Sequence, residues 1–62
     1  MLGKKIREQR EKAGLTQEEL AEKIGYDRST LAKWENGTKE PLAITLKVVA
    51  EVLDVGIEVF YQ

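Results

Sequence analysis

Between Asp27 and Gly37 the chain reads DRSTLAKWENG, a segment with two unlike sides if it is helical. At about 100° per residue, Leu31, Trp34 and Glu35 cluster on one side. Ser29, Lys33 and Asn36 lie opposite, with Arg28 and Ala32 toward one flank and Thr30 at the other margin. A guanidinium, a hydroxyl and an ammonium group around a small alanine can read base edges in a DNA major groove. Arg or Lys reaches guanine O6 and N7, and each good pair gives roughly 1–3 kcal/mol of discrimination. Ala32 is small enough to let such a helix approach a surface closely. An ordinary polar helix face would have the same composition, so the elements around the segment must decide between the two readings.

Other chemistries find little support. The chain has no cysteine and no histidine, which removes thiolate sites, disulfides, and the commonest general base and metal ligand. Glu18, Glu19 and Glu22 read as a solvated helix face, because no metal-ligand partner accompanies them. The glycines stand singly and suggest no nucleotide-cradling loop. Trp34 at helical spacing from Leu31 reads as core rather than as a stacking platform, and Tyr26 as a turn-packing ring. No enzyme activity, cofactor, metal or small-molecule ligand is expected. MLGKKIREQR has no apolar run behind its charges, so neither signal peptide nor membrane span is expected, and the chain reads as cytoplasmic.

The formal net charge is −1, but it hides a gradient: +3 over residues 1–14, −2 over 15–26, +1 over 27–39 and −3 over 40–62. A basic start and an acidic tail can leave one face for phosphates.

Sixty-two residues make one small domain, 1–62, with a single core. Apolar spacing is helical throughout. Leu2, Ile6, the stem of Arg10 and Ala13 stripe a first helix closed by Gly14; Leu20, Ala21 and Ile24 stripe a second. Leu31 and Trp34 stripe a third, and Leu46, Val49, Ala50 and Leu53 a fourth after Pro41. Ile57 and Phe60 suggest a short fifth, although the VGIEVFY end is ambiguous with a strand. The expected fold is all-α, a compact bundle of four to five short helices. Thr16 and Glu19 form a capping box, with Leu15 placed to staple onto Leu20. Gly25 suits a left-handed helix end, and Asp27 is an N-cap with Tyr26 before it to staple onto Leu31. The connection is too short for antiparallel helices. They must cross steeply, as in a helix-turn-helix.

GLTQEELAEKIGYDRSTLAKWENGTKEP resembles the lambda-type repressor and Cro helix-turn-helix family, also called the XRE family. Ala21 falls at its close-packed position, Gly25 at its turn, and Leu31 and Trp34 at buried positions of its recognition helix. The resemblance runs from IREQREKAG to LKVVAEVLDV and the terminal turn, nearly the whole chain. It implies a lambda repressor-like fold and sequence-specific binding of double-stranded DNA, as a small repressor or regulator. By the same resemblance Arg28, Ser29, Thr30 and Lys33 would face bases, and Gln17, Asn36, Gly37, Thr38 and Lys39 would meet phosphates. Arg10 and Glu35 would form a structural ion pair.

The family commonly binds palindromic operators as a symmetric dimer, with half-sites about 34 Å apart. A weak homodimer is expected here through Ile57, Phe60 and Tyr61, the competing reading being that Ile57 and Phe60 only close the core. Asp27, Glu40, Leu42, Ala43, Ile44 and Asp54 depart from the pattern. They predict weak non-specific affinity and a shallow salt slope. Ile44, Val48, Val55, Val59 and Tyr61 are left as candidate apolar surface. The rival reading is a protein-interaction module on the same fold, an antitoxin or a repressor partner.

Overall fold

Side chains next to the backbone start the second and third helices, and a left-handed glycine ends the second. Thr16 Oγ1 accepts from the Glu19 N–H at 3.1 Å, and Glu19 Oε1 accepts from the Thr16 N–H at 2.8 Å. This reciprocal box opens the helix Gln17–Ile24. Gly25, at φ 82°, closes it, a backbone angle that side chains with a Cβ rarely adopt. Asp27 then accepts from the Thr30 N–H at 3.0 Å and opens the next helix, Arg28–Asn36. Only Gly25, Tyr26 and Asp27 separate the two.

The computed structural model describes all residues, Met1 to Gln62. In order they form α1 (Leu2–Lys12), α2 (Gln17–Ile24), α3 (Arg28–Asn36), α4 (Ala43–Val52) and a 3₁₀ helix, Ile57–Tyr61. The expected all-α bundle is observed, and the ambiguous end is a 3₁₀ helix rather than a strand. Ile6, Leu20, Leu31 and Val49 are fully buried, one from each α-helix, so every α-helix contributes to one core. Ala21, Trp34, Leu46, Ala50, Leu53 and Phe60 complete it. Tyr26, expected to staple onto Leu31, packs its ring edge-on against Trp34, centroids 5.0 Å apart. Its hydroxyl shares a hydrogen bond of 3.2 Å with Thr45 Oγ1, which ties the turn to α4.

Several expectations need correction. Ala13 is exposed at the end of α1, not part of its inner stripe. Arg10 explains this: its carbonyl accepts from the Leu15 N–H and its Nη1 donates to the Leu15 carbonyl, so the chain folds back over Arg10 and leaves Ala13 outside. Val55, Val59 and Ile57 are half-buried against the core. Phe60 is 3% exposed and is core, unavailable as the expected dimer contact, because the 3₁₀ helix turns it inward over α1 and α4. Asp54 adopts φ 58°, a left-handed conformation where glycine would be unstrained.

One contact has no counterpart in the hydrophobic pattern. Gly3 is buried in the first turn of α1, where a Cβ would collide with the Trp34 carbonyl oxygen and come within 2.5 Å of that of Glu35. Glycine therefore lets the start of α1 lie directly on the end of α3, the positive pole of one helix against the negative pole of the other. Gly3→Ala is expected to destabilise the chain by roughly 1–3 kcal/mol in urea unfolding, since backbone cannot step aside. A gain in stability, as helix propensity alone would give, contradicts the contact.

Candidate nucleic-acid interface

Glu35 projects from the last turn of α3 with its side chain wholly buried. Burial pushes its carboxyl pKa up, but hydrogen bonds from Arg10 and Gln17, the Arg10 charge and a further bond from Arg7 outweigh that, so it lies below the usual carboxylate range. Oε2 accepts from Arg10 Nε at 2.7 Å. Oε1 accepts from Arg10 Nη2 at 3.0 Å, from Gln17 Nε2 at 3.1 Å and from Arg7 Nε at 3.3 Å. The Arg10–Glu35 pair expected from the resemblance is present, and it is two-pronged. Because Glu35 is lowered on folding, its stabilisation is present above the unfolded carboxylate pKa and is lost as pH falls through the folded value.

Gln17 is more constrained than a free phosphate-binding amide. Its nitrogen is turned to Glu35, so its oxygen faces α3 and accepts from Arg28 Nη1 at 3.4 Å. A second proton on that nitrogen stays available, as do the backbone donors of the first helical turn that the capping box does not use. The first turn of α3 is thereby linked through Gln17 to its last.

With Leu31, Trp34 and Glu35 buried, the opposite side of α3 must face outward. Arg28, Ser29, Lys33 and Asn36 are exposed and Ala32 is half-buried between them. Thr30 is half-buried at the margin. Three of these side chains are already engaged, Arg28 with Gln17. Ser29 Oγ donates to Asp27 Oδ2 at 3.1 Å, and Asn36 Oδ1 accepts from the Thr38 N–H at 2.9 Å, shaping the exposed Gly37–Lys39 loop. Hydrogen bonds from Thr30 and then Ser29 hold the Asp27 carboxyl below its usual pKa. It stays charged at the edge of the face. Thr30 also lines a shallow depression of about 150 Å³ with Tyr26, Trp34, Lys39, Glu40, Pro41 and Leu42. Pockets for small ligands run to roughly 300–1,000 Å³. No group of three or more acidic side chains could hold a metal ion, and no helix is long and apolar enough to cross a membrane.

The structure thus gathers Gln17, Arg28, Ser29 and Lys33 around the paired helices, with Asn36 to Lys39 at the far end of α3. Ile57, Phe60 and Tyr61 share the 3₁₀ helix, and of the three only Tyr61 is exposed. Arg7 was not singled out from sequence, although it stands one turn before Arg10 on the same helix.

Two capped helices joined by three residues, the second presenting its polar side, define a helix-turn-helix protein. The chain belongs to the helix-turn-helix family, whose pattern matches residues 6–60. It is 46% identical over 48 residues to an HTH-type transcriptional regulator of Methanothermobacter thermautotrophicus, covering 77% of this chain and 70% of that one. It is 36% identical over 55 residues to the HTH-type transcriptional regulator ImmR of Bacillus subtilis, covering 89% of this chain and 43% of ImmR. This chain therefore spans less than half of ImmR's length. Among solved structures it superposes on SinR, a master regulator for biofilm formation, in complex with DNA, with a TM-score of 0.92, 33% identity and full coverage of both chains. It also matches a SinR protein/SinI protein complex, with a TM-score of 0.85 and 34% identity over 97% of this chain and 59% of that one.

Replacing Arg10 with Met strands a buried carboxylate and is expected to lower stability by roughly 3–5 kcal/mol in denaturant unfolding. Arg10→Met combined with Glu35→Leu should recover most of that loss. Full additivity of the two single losses contradicts the coupling.

Proposed function

We propose that residues 1–62 act as the DNA-binding domain of a transcriptional regulator, placing α3 in the major groove of double-stranded DNA. One observation carries this reading: the buried Leu31, Trp34 and Glu35 commit one side of α3 to the fold and leave Arg28, Ser29 and Lys33 outward. The likeness to a regulator described in complex with DNA supports it. Arg28 and Lys33 donate to guanine O6 and N7, Ser29 reaches a neighbouring base, and Thr30 meets the margin. Gln17, Asn36, Gly37, Thr38 and Lys39 meet phosphates, and the N-terminus of α2 favours an anion there. The charged Asp27 and Glu40 oppose phosphates, so non-specific binding is weak and its salt dependence shallow. The activity is non-enzymatic, exerted in the cytoplasm on a palindromic operator by a weak homodimer. With Phe60 in the core, its C-terminal contact rests on Tyr61 and the edge of Ile57.

A second reading, a protein-interaction module, draws on exposed apolar side chains at the start of α4. Leu42 and Ile44 are 72% and 73% exposed, and Val48 follows Ile44 by one turn on the same side. A likeness to a regulator complexed with another protein is in keeping with it.

Lys33→Ala separates the readings. Against duplexes selected from a random library, fluorescence anisotropy should show a loss of roughly 1–3 kcal/mol for sequences carrying the Lys33-contacted base, and little for the others. Unchanged affinity and preference would favour the protein-binding module.

A further inference from the structure

The chain holds 21 charged side chains but only two close ion pairs, and both end on Glu35. One carboxylate cannot neutralise two guanidinium groups. Arg10 is the partner that is consumed: its side chain is 10% exposed and three of its nitrogens are bonded within the chain. Arg7 is different. It is anchored by Nε alone, its side chain is 50% exposed, and neither terminal nitrogen has a hydrogen-bond partner in the fold. Glu11, one turn further along α1, makes no ion pair with it. The anchor also fixes where that spare charge lies. Arg7 Nε and Gln17 Nε2 donate to the same atom, Glu35 Oε1, so the two side chains are immediate neighbours. Gln17 in turn accepts from Arg28. Arg7 therefore borders Gln17 on the α1 side as Arg28 does on the α3 side.

We propose that Arg7 is a DNA-phosphate contact, its outer guanidinium nitrogens binding the backbone phosphate beside Gln17 while Glu35 holds its Nε. This rests on the DNA-binding reading above and adds α1 to the elements that touch the duplex. A planar fork gripped at one edge is pre-organised for an anion at the other. Arg7 positions the protein on the strand and reads no base.

The test compares wild type, Arg7→Met, Arg7→Lys and Lys33→Ala on a selected duplex and on base-substituted versions of it, across a salt series. Arg7→Met should weaken every duplex by roughly three- to tenfold and reduce the slope of log K against log salt by about one, with sequence preference unchanged. Arg7→Lys should keep the wild-type slope. An unchanged slope in Arg7→Met, while Lys33→Ala still alters preference, overturns the proposal and leaves the DNA-binding reading intact. So does a changed preference with an unchanged slope, which would mean that Arg7 acts only through Gln17 and Arg28. Wild type binding no duplex at low salt overturns both. Should Arg7→Met fail to fold, the ¹⁵Nε–H signal of Arg7 in the wild-type protein decides: a shift on adding duplex that salt reverses supports the contact, and no shift overturns it.

Discussion

A single negative charge, sealed inside a 62-residue chain, sets the relative positions of three helices. Taking a carboxylate out of water costs several kcal/mol, and only close, well-aligned donors offset that. Glu35 has four such donor contacts, from Arg10 twice and from Arg7 and Gln17 once each. Moving α1, α2 or α3 by more than a fraction of a hydrogen-bond length would leave part of that charge unmatched. Apolar packing tolerates sliding better, because dispersion is weakly directional. Glu35 thus contributes to register and angle more than to net stability, in keeping with what buried ion pairs do in some other proteins.

The consequences reach the surface. Because Gln17 gives its nitrogen to Glu35, its oxygen is turned toward Arg28. Because Arg10 also holds the Leu15 carbonyl, the segment leading into the Thr16 cap is fixed to α1. Gly3 lets the start of α1 rest on the carbonyl groups at the end of α3. The same contacts that close the interior therefore orient the outward side of α3, where Arg28, Ser29 and Lys33 stand. The Asp27 carboxylate, held charged by Thr30 and Ser29, stands at the edge of that side.

What the sequence made legible was local. Thr16 with Glu19, Gly25 and Asp27 act within one or two helical turns of themselves, so type and spacing specify their geometry. Leu20, Leu31, Trp34 and Leu46 followed from periodicity, which reports which side of a helix is apolar. What stayed hidden depends on registers between distant segments. Gly3 looks like a poor helix residue until the end of α3 is laid against it. Ala13 keeps the helical spacing of a core residue, but the fold-back on Arg10 leaves it outside. Phe60 could close the core or cover a partner, and only the turn of the last helix decides between them. The Arg10–Glu35 pair was reached through family resemblance. Its extension to Arg7 and Gln17 needed side-chain positions from three elements at once.

The most direct test is a pH titration of the Glu35 side-chain carboxyl carbon by NMR in the folded chain. A carboxylate that stays charged because four donors surround it should titrate below the ordinary glutamate range of about 4.3, with the Arg10 Nε–H signal moving in step. A Glu35 that titrates at or above that range, independently of Arg10, would mean that burial prevails over its partners, and the three helices would need some other tie.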